Sequence, residues 1–291
     1  EGDVVQGTKF YAGGIVGRAY ELENGDTYAG LIENCSVTLS GGSIINDNDG
    51  GSAGGIAGFC ANTIKGCTVT VGNGECIRAN IIGGIVGAAG LLNDFGHYLE
   101  NCKVIGGGKL ELMSQSTYGF YIGGIAGSAA GGEIRSSKNE VPITSQASLN
   151  SDYFGIYAGG IAGDVSGDTS IIGCDNAGAI SLTCSDSGVY TDYDSKTIYT
   201  GGIVGRIRGS GSASTIENCQ NNASVTAVNL YPFMIAYAGG IAGYMESGDG
   251  ETDGVTIKNC ANISADKSIS ATAANTRSEE HTSELQSHHD L

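Results

Sequence analysis

Proline is limited to two residues in a chain of 291, and tryptophan is absent. Glycine, by contrast, accounts for 50 residues. A glycine excess without proline and without a three-residue period excludes a collagen triple helix and the usual disordered linker. Basic residues are also scarce, since 14 Lys and Arg stand against 31 Asp and Glu, for a formal charge of −17. So acidic a chain disfavours nucleic acid and anionic membranes as partners.

Several signatures of sites and membrane segments are missing as well. No apolar run approaches the length of about 18 residues that a membrane-spanning helix needs. The chain has no Cys-x-x-Cys pair and no His-Glu-x-x-His string. Three of its four histidines lie beyond residue 277, which leaves His97 alone in the body of the chain. We therefore expect no zinc site and interpret His97 as a loop residue without a role.

What the chain has in abundance is one repeated string. Gly-Gly-Ile-(Ala or Val)-Gly begins seven times, at Gly13, Gly54, Gly83, Gly123, Gly159, Gly201 and Gly239. Successive copies lie 41, 29, 40, 36, 42 and 38 residues apart. A constant string at variable intervals is typical of a solenoid whose layers carry loops of different length.

Apolar residues in and after the string favour a strand. The third residue is always Ile, and the residue four beyond it is always apolar. A period of two predicts a half-buried strand. In the first copy this prediction turns towards the core the residues Tyr11, Gly13, Ile15, Gly17 and Ala19. The residues between them face solvent. A phosphate-binding loop would need a following helix, and no helical periodicity follows any copy, so we interpret the glycines as structural.

A second element follows each copy and reads Ile-x-Asn-Cys in its commonest form. It begins at Ile32, Ile64, Leu99, Ile134, Ile171, Ile216 and Ile257. Its first and fourth residues both suit the core but are three apart, so strict alternation must break between them. The third residue is always Asn, Gly or Ser, and Asn and Gly tolerate a left-handed backbone best. We predict a bulge or corner there, at which stacked asparagines bond one another.

The nine cysteines fit the same pattern. Six of them are the fourth residue of the second element, and Cys60 takes an inward position after the glycine string. Only Cys76 and Cys184 remain outside it. Equivalent residues on neighbouring strands lie about 4.8 Å apart, which does not suit an unstrained disulfide. The sequence predicts a ladder of buried, reduced thiols.

Each repeat therefore offers at least three strands, the third represented by segments 43–45, 69–71 and 225–228. We predict an all-β fold, a right-handed parallel β-helix (β-solenoid) of about seven rungs, because parallel crossovers are right-handed almost without exception. Residues 1–276 form a single domain in this prediction. Since the chain starts within a repeat and without an initiator Met, we expect it to be a fragment of a longer protein.

The recurring Gly-Gly-Ile-Ala-Gly with a following Ile-x-Asn-Cys resembles the GLUG-motif repeats of bacterial surface proteins, over about residues 10–270. The family motif has Leu where this sequence has Ile. The resemblance implies an adhesin-like secreted or wall-anchored chain, or a non-catalytic region of an immunoglobulin A-cleaving metallopeptidase, and hence an extracellular or cell-surface location. It carries over no catalytic or binding residue. Residues 277–291 resemble a translated sequencing adapter, so we expect a non-native, disordered tail.

Acidic residues are the remaining candidates for chemistry. Glycoside hydrolysis needs paired carboxylates, and two acids, Asp164 and Glu246, occupy outward positions after the string. We interpret Asp164 with Arg206 of the next repeat as a surface ion pair, worth about 0–1 kcal/mol. Acid clusters also occur in predicted loops at 47–49, 192–194 and 249–253.

The segments 46–50 and 247–254 place oxygen ligands on glycine turns. Neither matches the twelve-residue calcium loop or a calcium-binding nonapeptide repeat, so we interpret both as solvated loops. We thus expect no catalytic, cofactor or metal site. The expected function is a non-catalytic rod for adhesion or display, whose partners are a host protein, a glycan or other domains of the same chain. Loops 145–157 and 183–200, with Tyr153, Tyr190 and Tyr193, suit polar contacts. Alternatives are a spacer in a larger secreted enzyme or a glycan-active enzyme.

Overall fold

The computed structural model describes residues 10–19, 30–90, 98–113, 119–145, 155–184, 197–209, 213–230, 235–247, 254–263 and 268–273. Within these ranges the regular structure consists of β-strands and contains no helix. No helix suited to crossing a membrane is therefore found in them. His97, Asp192, Asp194, Tyr153, Tyr190, Tyr193 and the tail at 277–291 lie outside the described residues, as do 248–253 of the second calcium candidate.

The strands fall into seven groups, which we number repeats 1 to 7 after their copies of the glycine string. Repeat 1 contains β1 (Tyr11–Gly13), β2 (Val16–Ala19), β3 (Leu31–Glu33), β4 (Ser36–Leu39) and β5 (Ile44–Ile45). Repeat 2 contains β6 (Ser52–Gly54), β7 (Ala57–Cys60), β8 (Thr63–Lys65), β9 (Thr68–Val71) and β10 (Cys76–Ala79). Repeat 3 contains β11 (Ile81–Gly83), β12 (Val86–Ala89), β13 (Tyr98–Glu100), β14 (Lys103–Ile105) and β15 (Lys109–Leu112).

Repeats 4 and 5 have longer, continuous second strands. Repeat 4 contains β16 (Phe120–Gly123), β17 (Ala126–Arg135), β18 (Lys138–Asn139) and β19 (Ile143–Ser145). Repeat 5 contains β20 (Ile156–Gly159), β21 (Ala162–Ile172), β22 (Asp175–Asn176) and β23 (Ile180–Cys184). Repeat 6 contains β24 (Ile198–Gly201), β25 (Val204–Arg208), β26 (Ser214–Glu217), β27 (Gln220–Asn221) and β28 (Val225–Asn229). Repeat 7 contains β29 (Ala236–Gly239), β30 (Ala242–Glu246), β31 (Val255–Lys258), β32 (Ala261–Asn262) and β33 (Ile269–Ala273).

Corresponding strands of the seven repeats pair in parallel and form four sheets. Sheet A contains β1, β6, β11, β16, β20, β24 and β29, and sheet B contains the strands between the glycine string and the corner. Sheet C runs from β4 to β32 and sheet D from β5 to β33. The glycine strings are in register through sheet A, from Gly13 opposite Gly54 to Gly201 opposite Gly239. Each repeat therefore forms one layer of the stack, with one strand in each of sheets A, C and D and either two strands or one long strand in sheet B.

The alternation turns the isoleucine of every string towards the core, and these seven isoleucines form what we call the isoleucine column, which lies in the core of the five interior repeats. Ile56, Ile85, Ile125, Ile161 and Ile203 are fully buried. At the two ends the prediction is wrong, because Ile15 is 50% exposed and Ile241 is only partly buried. No described strand lies beyond repeat 1 or repeat 7, so nothing in the described residues covers the outer side of these two isoleucines.

The predicted alternation is also wrong for the strand that precedes the motif. Ala53, Ile82, Ile122 and Ala158, which follow the tyrosine position, are fully buried and belong to the core. The tyrosines, such as Tyr157, lie on the opposite face of sheet A. The reason is that the string is not one strand: one strand ends at its first glycine, the next begins after its isoleucine, and the chain bends between them. Alternation does not carry its phase across a bend.

Glycine at the last position of the string lets sheets A and B approach closely. A Cβ atom on Gly58 would lie 2.6 Å from the backbone nitrogen of Ala12 and 2.7 Å from the carbonyl oxygen of Gly17. Such distances are far below van der Waals contact with backbone atoms that cannot move aside. Any side chain here would force the two sheets apart, which explains why the string ends in Gly in repeats 2 to 7.

The predicted corner in the second element is confirmed. Its third residue has a positive φ in all seven repeats: Asn34 (54°), Gly66 (62°), Asn101 (54°), Ser136 (50°), Gly173 (59°), Asn218 (55°) and Asn259 (53°). A left-handed residue at this point turns the chain from sheet B into sheet C. The three segments expected to form a common third strand are not equivalent, because 69–71 lies in sheet C and the other two lie in sheet D.

Candidate interaction surface

Four tyrosines form a stacked column on the outer face of sheet A. The tyrosine column consists of Tyr121, Tyr157, Tyr199 and Tyr237, one from each of repeats 4 to 7. Neighbouring ring centroids are 5.2–5.3 Å apart, and the rings are within 15° of parallel. Offset stacking of this kind adds about 0.5–1.5 kcal/mol per pair beyond the area it buries.

Arg206 of repeat 6 links the tyrosine column to Asp164 of repeat 5. The Asp164 carboxylate accepts hydrogen bonds from Arg206 Nε at 2.6 Å and Arg208 Nη2 at 3.1 Å. Arg206 also donates to the Tyr157 hydroxyl at 3.0 Å, and its guanidinium lies 3.8 Å from the centre of that ring. We call Asp164, Arg206 and Arg208 the ion-pair cluster. Burial raises the pKa of Tyr157 to about 12, so its hydroxyl is neutral at physiological pH.

The expected pair of Asp164 and Arg206 therefore exists, but it is not a surface pair. Only 9% of the Asp164 side chain and 15% of the Arg206 side chain is exposed. The two residues face each other in register between β21 and β25. The register of the repeats predicted the contact but not its burial. The alternation placed Tyr157 in the core, whereas the structure places it on the outer face, where it covers Arg206.

A second column on sheet B carries charges of alternating sign, interrupted by Ile172 in repeat 5. The charge column is the second residue of the Ile-x-Asn-Cys element, and its members face one another through all seven repeats: Glu33, Lys65, Glu100, Arg135, Ile172, Glu217 and Lys258. Glu100 contacts Lys65 at 3.7 Å and Arg135 at 3.1 Å, and Lys258 contacts Glu217 at 2.9 Å. The hydrogen bond from Arg135 lowers the pKa of Glu100.

An asparagine ladder lies inside the stack, three residues beyond the position that the sequence predicted. Nδ2 of Asn139 donates to Oδ1 of Asn176 at 3.0 Å, Asn176 to Asn221 at 2.9 Å, and Asn221 to Asn262 at 2.8 Å. Three of them also hold their own backbone two residues on, as Asn176 does with the nitrogen and oxygen of Gly178. The corresponding residues of repeats 1 to 3 are Val37, Val69 and Val104. The corner asparagines were thus the wrong candidates.

The cysteine ladder agrees with the sequence prediction. All nine cysteines are among the described residues, and none of them forms a disulfide. Thiols instead donate to carbonyl oxygens of the preceding repeat, as Cys174 does to Ile134 and Cys219 to Ile171, both at 3.5 Å. Burial raises the pKa of Cys102 to about 12 and that of Cys60 to about 11. These thiols stay protonated and unreactive at neutral pH.

The acids that the sequence singled out are not brought together in the described part of the chain. Glu246 lies opposite Arg208 in register and is exposed, whereas Asp164 faces Arg206. Asp47 is engaged by Arg78, whose Nε and Nη2 donate at 3.2 and 3.3 Å. Among the described residues no group of three or more His, Cys, Asp and Glu side chains could hold a metal ion.

Comparisons with protein-family models, with curated proteins and with solved structures found no match for this chain. The features that sequence reasoning missed are the tyrosine column and the charge column. Signals for both were present. Tyr stands two residues before the glycine pair in five of seven copies, and the sign of the charge alternates through the first four copies of the second element.

Proposed function

We propose that this chain is a right-handed parallel β-helix of seven rungs that serves as a non-catalytic, extracellular rod of a bacterial surface protein, in adhesion or in the display of another domain. The observation that carries the proposal is the register. Seven repeats of 29 to 42 residues place the same string at the same position of every layer. A stack of seven layers is about 34 Å long, at about 4.8 Å per layer.

Ladders of side chains that contact one another between neighbouring repeats support a stiff rod. The asparagine ladder and the tyrosine column each link repeats 4 to 7. Hydrogen bonds of the cysteine ladder link the other repeats in turn, and Ser137 takes the place of cysteine between repeats 3 and 4. Each ladder makes contacts only between neighbouring layers, as in other solenoids. Such a body holds its length under load and positions whatever lies at its ends.

The connections between sheets D and A support a role in contact. Residues 146–155 connect β19 to β20, and residues 185–197 connect β23 to β24. Each connects the end of a strand of sheet D to the start of a strand of sheet A, and the two belong to neighbouring repeats. They contain Tyr153, Tyr190 and Tyr193 among serines and acids, a composition typical of adaptable contact surfaces. Variable connections on a constant body are the arrangement by which repeat proteins present binding residues.

A binding screen tests the proposal. The purified chain is immobilised and exposed to panels of host extracellular proteins and of neutral and acidic glycans. We expect saturable binding that is lost when Tyr190 and Tyr193 are both changed to Ser, with Tyr98→Ser on sheet B as the matched control. A chain that binds nothing favours the spacer of a larger secreted enzyme. Turnover of a glycan, abolished by Asp192→Asn with Asp194→Asn, would replace the proposal with a glycan-active enzyme.

A further inference from the structure

Asn73 and Gly74 form the exposed tip of a tight turn in repeat 2, between β9 of sheet C and β10 of sheet D. The backbone nitrogen of Glu75 donates to the carbonyl oxygen of Gly72 at 3.1 Å and closes the turn. Gly74 has a φ of 84°, whereas the φ of Asn73 is not positive. A positive φ at the third of four residues is typical of a type II turn, and glycine is the residue that adopts it most readily.

The side chain of Asn73 is free to turn towards the backbone of Gly74. In the described part of the chain the Asn73 amide forms no hydrogen bond, and the Gly74 nitrogen donates none. The Asn73 side chain packs over Gly107 of repeat 3, where a Cβ atom would collide with its Oδ1. Rotation of this side chain therefore breaks no hydrogen bond, and it can bring Cγ of Asn73 to the Gly74 nitrogen.

This placement permits an intramolecular substitution. The Gly74 nitrogen attacks Cγ of Asn73, the bond from Cγ to the side-chain nitrogen breaks, and ammonia leaves with the proton of the attacking nitrogen. The product is a five-membered cyclic imide, whose formation is favoured because both groups belong to one short segment. Water then opens the ring at one of its two carbonyl carbons, which gives aspartate or isoaspartate. The sequence of steps consumes one water and releases one ammonia.

Asparagines elsewhere in the stack show the contrast. Asn101, exposed at the corner of repeat 3, is followed by Cys102, whose side chain hinders the attack and whose nitrogen donates to Ser137 Oγ at 3.1 Å. Asn176 of the asparagine ladder is fully buried, and its amide is held by both neighbours. The other Asn-Gly pair of the chain, at 24–25, lies outside the described residues.

The turn that contains Asn73 also holds a turn of repeat 1. The carboxylate of Glu75 accepts hydrogen bonds from the backbone nitrogen of Gly41 at 3.0 Å and from Ser43 Oγ at 2.9 Å. In isoaspartate the main chain runs through Cγ, which lengthens the turn by one carbon atom. The Glu75 side chain then shifts away from the positions at which it accepts these two hydrogen bonds.

We propose that Asn73 is a modification site, at which the folded protein deamidates without an enzyme to aspartate and isoaspartate. The reaction needs only water and the geometry of the turn. Its isoaspartate product releases the turn of repeat 1 from Glu75, so the modification loosens the contact between the first two layers of the stack.

Peptide mapping by mass spectrometry tests the reaction. The full chain is incubated in mildly alkaline buffer at physiological temperature, and samples are digested at intervals. We expect the peptide that contains Asn73 to gain the mass of an amide-to-acid exchange about tenfold faster than the peptide that contains Asn101. Asn73→Gln is the matched control, since it keeps the amide but must close a less favourable six-membered ring, and its peptide should stay unchanged. Equal rates at Asn73 and Asn101 would overturn the proposal, as would a reaction that starts only after circular dichroism shows unfolding.

Hydrogen exchange of residues 40–43 tests the consequence. We expect the protection of these amides to fall as isoaspartate accumulates. Freshly purified Asn73→Asp is the control, because it brings the new charge without the extra carbon atom, and it should keep the protection of the unmodified protein. Unchanged protection in the modified protein, or an equal loss in Asn73→Asp, would contradict release through a lengthened turn.

Discussion

At the scale of single residues, Asp164 shows how the outer face of sheet B tolerates a charge. Its carboxylate is nearly excluded from water and is neutralised by Arg206 and Arg208. Removing one partner of a buried ion pair leaves an uncompensated charge, which costs more than the intact pair contributes. The exposed pair of Lys138 and Glu140, 2.8 Å apart, is the contrasting case.

Asp164→Asn should therefore lower the free energy of unfolding by about 3 kcal/mol, since it strands the Arg206 guanidinium beneath Tyr157. Glu140→Gln, the matched control, should change it by less than about 1 kcal/mol. Urea titrations monitored by circular dichroism measure both. Equal effects of the two substitutions would contradict the argument.

The hydroxyl of Tyr157 predicts a loss of stability at alkaline pH. Its pKa in the folded protein is about 12, raised by burial, whereas an unfolded tyrosine titrates near 10. The folded state therefore holds the proton more tightly. The associated stabilisation is complete below about pH 10 and is lost as the pH rises towards 12.

Tyr157→Phe should accordingly give a shallower decline in unfolding free energy between about pH 10 and pH 12 than the wild type shows. The substitution removes one titrating hydroxyl and leaves the stacked ring. Urea titrations at several pH values across this window measure the difference. Identical slopes for the two proteins would exclude Tyr157 as a contributor.

At the scale of elements, the asparagine ladder ties sheet C together in repeats 4 to 7. Asn176 stands in its interior, so its amide serves Asn139, Asn221 and the backbone of Gly178. Asn139 stands at the first position, next to Val104 of repeat 3. Removing an interior member leaves buried partners unsatisfied on both sides, which costs about 1–3 kcal/mol for each group.

Asn176→Val should lower the free energy of unfolding by about 3 kcal/mol or more, and Asn139→Val by about 2 kcal/mol. The smaller loss is expected because Asn139 accepts no hydrogen bond from another asparagine of the ladder. Its removal therefore leaves every other amide donor of the ladder with its acceptor. Val at this position is compatible with the fold, as Val37, Val69 and Val104 demonstrate in repeats 1 to 3. Urea titration of both variants tests the order, and a larger loss in Asn139→Val would reverse the reasoning.

At the scale of the whole molecule, stability depends on contacts between neighbouring layers. The isoleucine column passes through the core of repeats 2 to 6, whereas Ile15 at the end is half exposed. A charge placed inside the column cannot be paired or hydrated, and a charge at the open end can reach water.

Ile161→Asp should therefore unfold repeat 5 and its neighbours, and Ile15→Asp should leave them folded. Far-ultraviolet circular dichroism reports the loss of strand. Hydrogen exchange, read peptide by peptide, locates that loss in the chain. Full protection of repeats 4 to 6 in Ile161→Asp would mean that this column does not hold the layers together.

The sequence by itself determined the strand layers, the interior isoleucine column, the left-handed corner and the cysteine ladder. These features follow from residue types at fixed positions of a repeated string. A position that recurs in every layer meets the same neighbours above and below it, so its environment can be deduced without coordinates.

Only the tertiary structure decided which side the tyrosines take, how deeply Asp164 is buried and which asparagines form the ladder. All three depend on the bend within the glycine string and on how sheets A, B and C pack around it. A period of two gives the orientation of side chains within one strand only. The phase beyond a bend is set by the packing of backbone against backbone, as at Gly58 and Ala12. The recurring glycine marks where the backbones pack closely, but it does not state which face the neighbouring side chains take.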